Sequence, residues 1–180
     1  MLDPLVFRDG RRVTFVAEGS DGEGPFLRIE HRLPRPARQA GPHWHPLLTE
    51  RWTVRRGRVR FRIDGRELVL GAGESASAGA RQVHEFSTLS ADVVLDHEIR
   101  PPLQHRRMFE LWHALDNAGA TTRSGLPRNP LALALLWQAQ DGYLAGVPAW
   151  LQRALFGGLA RLARALRYEQ RLDERKGRAD

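Results

Sequence analysis

In the stretch "HWHPLLTERWTVRRG", residues 43 to 57, two histidines stand two apart and a glutamate follows after four intervening residues. On an extended strand His43 and His45 project from the same face, because successive side chains alternate. Glu50 lies far enough along for the chain to continue or turn and bring a carboxylate alongside, and His84 can arrive from a later strand. Three imidazoles and one carboxylate suit one divalent transition metal, Fe, Mn, Ni, Cu or Zn, and a six-coordinate ion would keep two positions open for water, substrate or dioxygen. The rival reading makes His43 and His45 loop histidines at the mouth of a hairpin, with Glu50 paired to an arginine.

Composition narrows the chemistry. The 180 residues include no cysteine, which excludes disulfides, thiolate metal sites and a cysteine nucleophile. One compact domain, or one with a helical appendage, is the expected size. The opening "MLDPLVFRDGRR" has acid and proline where a secretion signal needs a basic patch and an apolar run, and the longest apolar stretch, "LALALLW", is far short of a membrane span. A soluble, cytoplasmic protein is the expectation. The net charge is +7, but of 28 basic residues only Lys176 is a lysine, and most of the excess lies after Pro102. With no reading motif or aromatic platform beside it, this charge does not point to nucleic acid.

Something must position the histidines, and residues 1–102 read as short antiparallel strands. "RVTFVAE", "PFLRIEHRL", "TERWTVRRG", "RVRFRIDGRELVLGAGE", "VHEFSTL" and "DVVLDHEIR" alternate apolar with polar residues, most regularly from Arg58 to Ile63, and "IDGREL" supplies an Asp-Gly hairpin turn. Seven or eight such strands predict a barrel or sandwich. After Pro101-Pro102 the period becomes helical in "LQHRRMFELWHALDNAG", "LALALLWQAQDGYL" and "PAWLQRALFGGLARLARALRY". The last carries a stripe of Leu151, Leu155, Leu159, Leu162 and Leu166, expected to pack on the barrel or on a partner subunit. Residues from about Glu169 onward read as a solvated end.

The spacing of His43, His45, Glu50 and Gly57 resembles the first motif of the cupin superfamily, in which His-x-His precedes Glu and then Gly at these intervals. "GESASAGARQVHEFST" resembles the second motif in frame, with Gly73 and His84 in place. Gly79, Arg81 and Thr88 stand where that motif has Pro, Gly and Asn, and Ala37 replaces a glycine ahead of the first histidine. The resemblance covers about residues 25–100. It implies a mostly β fold, an antiparallel cupin-type barrel (a double-stranded β-helix or jelly roll) over residues 1–102, followed by a C-terminal α-helical extension over 103–180. It further implies one divalent metal held by His43, His45, Glu50 and His84.

Four more residues join the candidate site. His31 and His97 fall in phase with apolar neighbours and should point inward, as core residues or as acid–base groups near the metal. Trp52 and Phe86 are candidate walls of a substrate pocket, with Trp44 and Trp52 on opposite sides of the barrel. His105 and His113 are expected on a surface or interface of the first helix. The function expected is a mononuclear metalloenzyme, dioxygenase-like or else isomerase- or cyclase-like, acting on a small, partly apolar molecule, with Glu50 as base. The alternative is a non-catalytic, metal-stiffened binding protein whose helices contact a protein or a membrane surface. A homodimer is expected from the resemblance.

Overall fold

The computed structural model describes residues 3–168. Short β1 (Leu5–Val6) leads into the hairpin of β2 (Arg12–Asp21) and β3 (Gly24–Leu33), then β4 (Arg38–Trp44), β5 (Thr49–Arg56), β6 (Val59–Ile63) and β7 (Arg66–Leu70). β8 (Ser75–Ala78), β9 (His84–Thr88) and β10 (Val93–Arg100) complete the strand-rich part. α1 (His105–Asn117), α2 (Pro130–Gln140), a short β11 (Tyr143–Leu144) and α3 (Ala149–Ala165) follow.

The strands form two antiparallel sheets, ordered β1-β2-β3-β10-β5-β8 and β11-β4-β9-β6-β7. This is a jelly roll of facing sheets, and the barrel expected from sequence is not closed by a continuous ring of strand pairs. Alternation decides what faces inward. β10 buries Val93, Leu95, His97 and Ile99, and β3 buries Leu27, Ile29, His31 and Leu33. Cross-strand register then sets His97 opposite both Ile29 and Trp52, and Ile99 opposite Glu50, so the pleat delivers Glu50, Trp52, His97 and His31 to one inner face. In the other sheet His43 pairs with His84 and Phe61 with Phe86. The arginines of β6 lie on the wet face, as alternation predicts, with Arg60 and Arg62 beside Glu67.

Two turns carry the registers. Asp64 and Gly65, at φ +47° and +81°, make the Asp-Gly turn between β6 and β7. Gly57, at φ +87°, lies against Ser90 and Val93, and a Cβ there would come within 2.7 Å of both side chains. Arg81 takes φ +66° at the place where the cupin motif has glycine, and its backbone N–H donates to the carbonyl of His45 at 2.7 Å. The departure is thus accommodated by a left-handed arginine, at a cost of roughly 1 kcal/mol. Thr88, replacing the motif's asparagine, donates through Oγ1 to the Arg35 carbonyl at 2.9 Å and accepts from the Ala37 N–H at 2.9 Å.

Among the described residues two apolar clusters occupy the two ends of the jelly roll, and a third lies between α2 and α3. Trp52, Val54, Val59, Phe61 and Leu95 fill one end of the sandwich. At the other end Phe7, Phe15, Leu27 and Ile99 meet Met108 and Phe109 of α1 and Leu136 of α2, so the helices close the mouth of the roll. α2 stops earlier than its sequence period predicts. Asp141 turns left-handed at φ +49°, and the chain re-extends as β11 to pair with β4.

α3 packs on α2 through Ala160 and Ala163, both fully buried, with Phe156 and Leu159, while Leu151, Leu155, Leu162 and Leu166 of the leucine stripe are exposed. Alanine lets two helix backbones approach closely, which a row of leucines would prevent. Among the described residues no helix is long and apolar enough to cross a membrane.

Candidate metal centre

His43 is the penultimate residue of β4, His84 opens β9, Glu50 lies near the start of β5, and His45 stands just past β4. One ligand atom from each of the four lies within 4.8 Å of all the others, and all four side chains are buried. Glu50 Oε2 is 2.6 Å from His84 Nε2 and 3.3 Å from His45 Nε2.

The orientation of each ring is fixed from behind. His43 Nδ1 meets the Gly41 carbonyl at 2.7 Å, His84 Nδ1 that of Gln82 at 2.9 Å, and His45 Nδ1 that of Asp141 at 3.2 Å. With Nδ1–H donating to a carbonyl, each Nε2 presents its lone pair inward, the tautomer that a metal-ligating histidine requires. Nε2 of His45 and His84 and Oε2 of Glu50 have no aligned hydrogen-bond partner despite these separations. Buried polar atoms that converge without pairing are costly, and a shared cation would satisfy them. The residues therefore fit a divalent metal.

Electrostatics agree with that use. Burial pushes the His43 imidazole down to about 4, so it is neutral at physiological pH. Burial alone would raise the Glu50 carboxyl, but contacts with His45, His84 and His97 outweigh it and hold the group well below the usual carboxylate range. Burial alone would lower His84, yet the adjacent Glu50 carboxylate raises it.

A second line of histidines runs behind Glu50. His97 Nε2 is 2.9 Å from Glu50 Oε1, and His97 Nδ1 is 3.2 Å from His31 Nε2. His31, Trp52, Phe86 and His97 all line a cavity of about 260 Å³ that also reaches His43 and Glu50. Trp52 is buried against Phe61 and stacks on His97 at 5.2 Å, whereas Trp44 stacks on Tyr143 outside the inner face.

His105 corrects the reading from sequence. It is buried, lines the same cavity, and lies 5.7 Å, ring to ring, from His45, with Nδ1 held at 3.1 Å by the Pro102 carbonyl. The signal was available, since His105, Met108, Phe109 and Trp112 recur at helical spacing on one face. Also missed were the segment 140–142, whose Asp141 carbonyl orients His45, and the lid of Ser124, Gly125 and Leu126 over the cavity. That lid is tied down by the Trp112 indole N–H, which donates to the Gly125 carbonyl at 2.7 Å.

Fold and site together define a jelly-roll domain with a buried three-histidine, one-carboxylate cluster capable of binding a metal ion. Residues 31–95, which contain all four of those residues, match the family model described as the cupin domain. Among solved structures it is similar to KdgF from Halomonas sp., with TM-score 0.48 and 19% identity over 54% of this chain and 84% of that one. It is also similar to a cupin-superfamily sugar phosphate isomerase from Silicibacter pomeroyi, with TM-score 0.42 and 21% identity over 51% and 59% of the two chains. A third similar structure is an RmlC-like cupin from Shewanella frigidimarina, with TM-score 0.45 and 15% identity over 54% and 82%. No curated protein matches the chain.

Proposed function

We propose that this chain is a mononuclear metalloenzyme of the dioxygenase-like kind, with residues 1–102 as its catalytic jelly roll and 103–180 as a helical extension that closes the pocket. The observation that carries the reading is the cluster of four ligand atoms, its histidines pinned through Nδ1 by backbone carbonyls, opening onto a cavity with mostly apolar walls. His43, His45, Glu50 and His84 would hold the metal, which supplies polarisation of a substrate oxygen or activation of dioxygen.

The protein's own contribution is binding and proton placement. Trp52, Phe86 and Phe109 take the apolar body of a small molecule, and the lid of Ser124 to Leu126 excludes water. Glu50 is held ionised and is the base we assign. His97 Nε2 lies 2.9 Å from Oε1 of that carboxylate with no aligned hydrogen bond, and His97 Nδ1 shares a 3.2 Å hydrogen bond with His31 Nε2. His97, backed by His31, thus borders the carboxylate oxygen that does not face His45 and His84.

Elemental analysis of the tag-free protein beside its His43→Ala and His84→Ala variants tests the reading. About one equivalent of a first-row divalent metal, lost in both variants, is expected, followed by oxygen uptake with small aromatic or diketone-like compounds. Protein that takes up no metal on reconstitution overturns it. Metal and ligand binding without turnover of any compound would instead assign a binding protein. Full turnover in Glu50→Gln would remove the base role.

A further inference from the structure

We propose that the groove between α2 and α3 is a binding site for a phosphate group, carried by a soluble ester or by a lipid headgroup. The site is separate from the metal centre and does not depend on the function proposed for it.

The groove encloses about 370 Å³ and is lined by Arg153, Arg161 and Arg164 of α3 and by Trp137, Gln138 and Tyr143 across from them. The jelly roll neutralises many of its arginines: Arg28 meets Glu98, Arg38 meets Glu85, Arg55 meets Asp96 and Arg100 meets Asp21. The groove arginines are arranged differently. Arg153 donates to the Tyr143 hydroxyl at 2.8 Å and its guanidinium lies over that ring, while Arg164 donates to the Gln138 side-chain oxygen. Neutral acceptors fix the position of a guanidinium without cancelling its charge. Arg161 has no ion pair or hydrogen bond among the described residues. α3 contains no acidic residue, and the one carboxyl lining the groove, Asp141, acts on Arg153 and leaves Arg161 and Arg164 without an anionic partner among the described residues.

Shape points the same way. Gly157 lies one turn from Arg153 and one turn from Arg161, and a Cβ at that position would meet nothing within 4 Å. The floor between the guanidiniums is therefore open. Trp137, which borders this groove, leaves its indole N–H without an acceptor. Several guanidinium forks lining one groove match a tetrahedral, multiply charged oxyanion better than a single carboxylate, which one fork would satisfy. Trp150, 71% exposed, and the exposed leucines of α3 lie along the same helix, so a lipid headgroup and a soluble phosphate ester share the required chemistry.

The test is calorimetric titration of the full chain with glycerol 3-phosphate and inorganic phosphate at physiological ionic strength, with sedimentation against phosphatidylcholine vesicles with and without phosphatidic acid. The comparison variants are Arg161→Gln and Arg164→Gln, both exposed positions whose folding is checked by circular dichroism. Saturable binding of the ester or phosphate, weakened about tenfold or more in each variant, supports the site with a soluble ligand. Binding confined to phosphatidic acid vesicles and lost in the variants supports it with a lipid source. No binding to any probe, binding unchanged in both variants, or equal competition by chloride overturns the proposal.

Discussion

Three buried histidines should make the metal-free protein sensitive to mild acid, and His105 allows the effect to be isolated. Burial lowers His105 from 6.5 to about 4, His43 to about 4 and His31 to about 3. A histidine whose folded pKa is depressed takes up a proton on unfolding, so its contribution to stability is present above about 6.5 and declines as pH falls below that value. The decline stops near the folded pKa. Between about pH 7.5 and pH 5 the unfolded form gains roughly 1.5 units of protonation advantage, and at about 1.4 kcal/mol per unit each such histidine costs about 2 kcal/mol. His84 runs in the opposite sense: its folded pKa is raised, so its contribution is full below 6.5 and is lost as pH rises through the folded value, offsetting part of the loss. Urea unfolding of chelator-treated protein, followed by tryptophan fluorescence at both pH values, measures the sum. In His105→Gln the amide can still donate to the Pro102 carbonyl but cannot titrate. That variant should lose about 2 kcal/mol less than the parent over the same interval. An identical pH loss in parent and variant would refute the claim that His105 is buried as a neutral imidazole.

Gly57→Ala should cost about 2–5 kcal/mol in urea unfolding, combining left-handed strain with overpacking on Ser90 and Val93. Gly65→Ala shares the positive φ but meets nothing within 4 Å, so about 1–2 kcal/mol is expected; equal losses would dismiss the packing argument. Thr88→Val strands the Ala37 N–H and Arg35 carbonyl, and a loss of about 1–3 kcal/mol should appear in the same assay. A metal added at about a hundredfold excess over its dissociation constant should raise stability by about 2.7 kcal/mol in the parent and leave His84→Ala unchanged, as read by differential scanning fluorimetry.

The four residues of the candidate metal centre were legible because two local rules fixed them: strand alternation put His43 and His45 on one face, and two motif spacings tied Glu50 and His84 to neighbouring turns. His31 and His97 were placed inward by the same alternation, since each keeps step with leucines and isoleucines on its strand. What alternation cannot supply is how a helix docks. His105 is expected at a surface or interface because its burial depends on where α1 lands after Pro102, a contact between distant parts of the chain. α3 shows a related limit. Its sequence offers a leucine stripe and an alanine face, hydrophobicity favours the first, and close backbone approach to α2 selects the second. The end of α2 carried an Asp-Gly turn signal, overridden in the reading by the apolar period ahead of it.

The carbonyls behind the three histidines differ in how far along the chain they lie. Gly41 and Gln82 are each two residues from the ring they hold, whereas Asp141 is 96 residues from His45. During synthesis the chain emerges from its N-terminus, so His43 and His84 acquire their fixed tautomers with the strands that carry them. His45 does not until α2 has been made and has docked. Orientation of all three rings therefore requires residues well outside the jelly roll, and a jelly roll cut off before α2 would leave the His45 imidazole without the carbonyl that holds it.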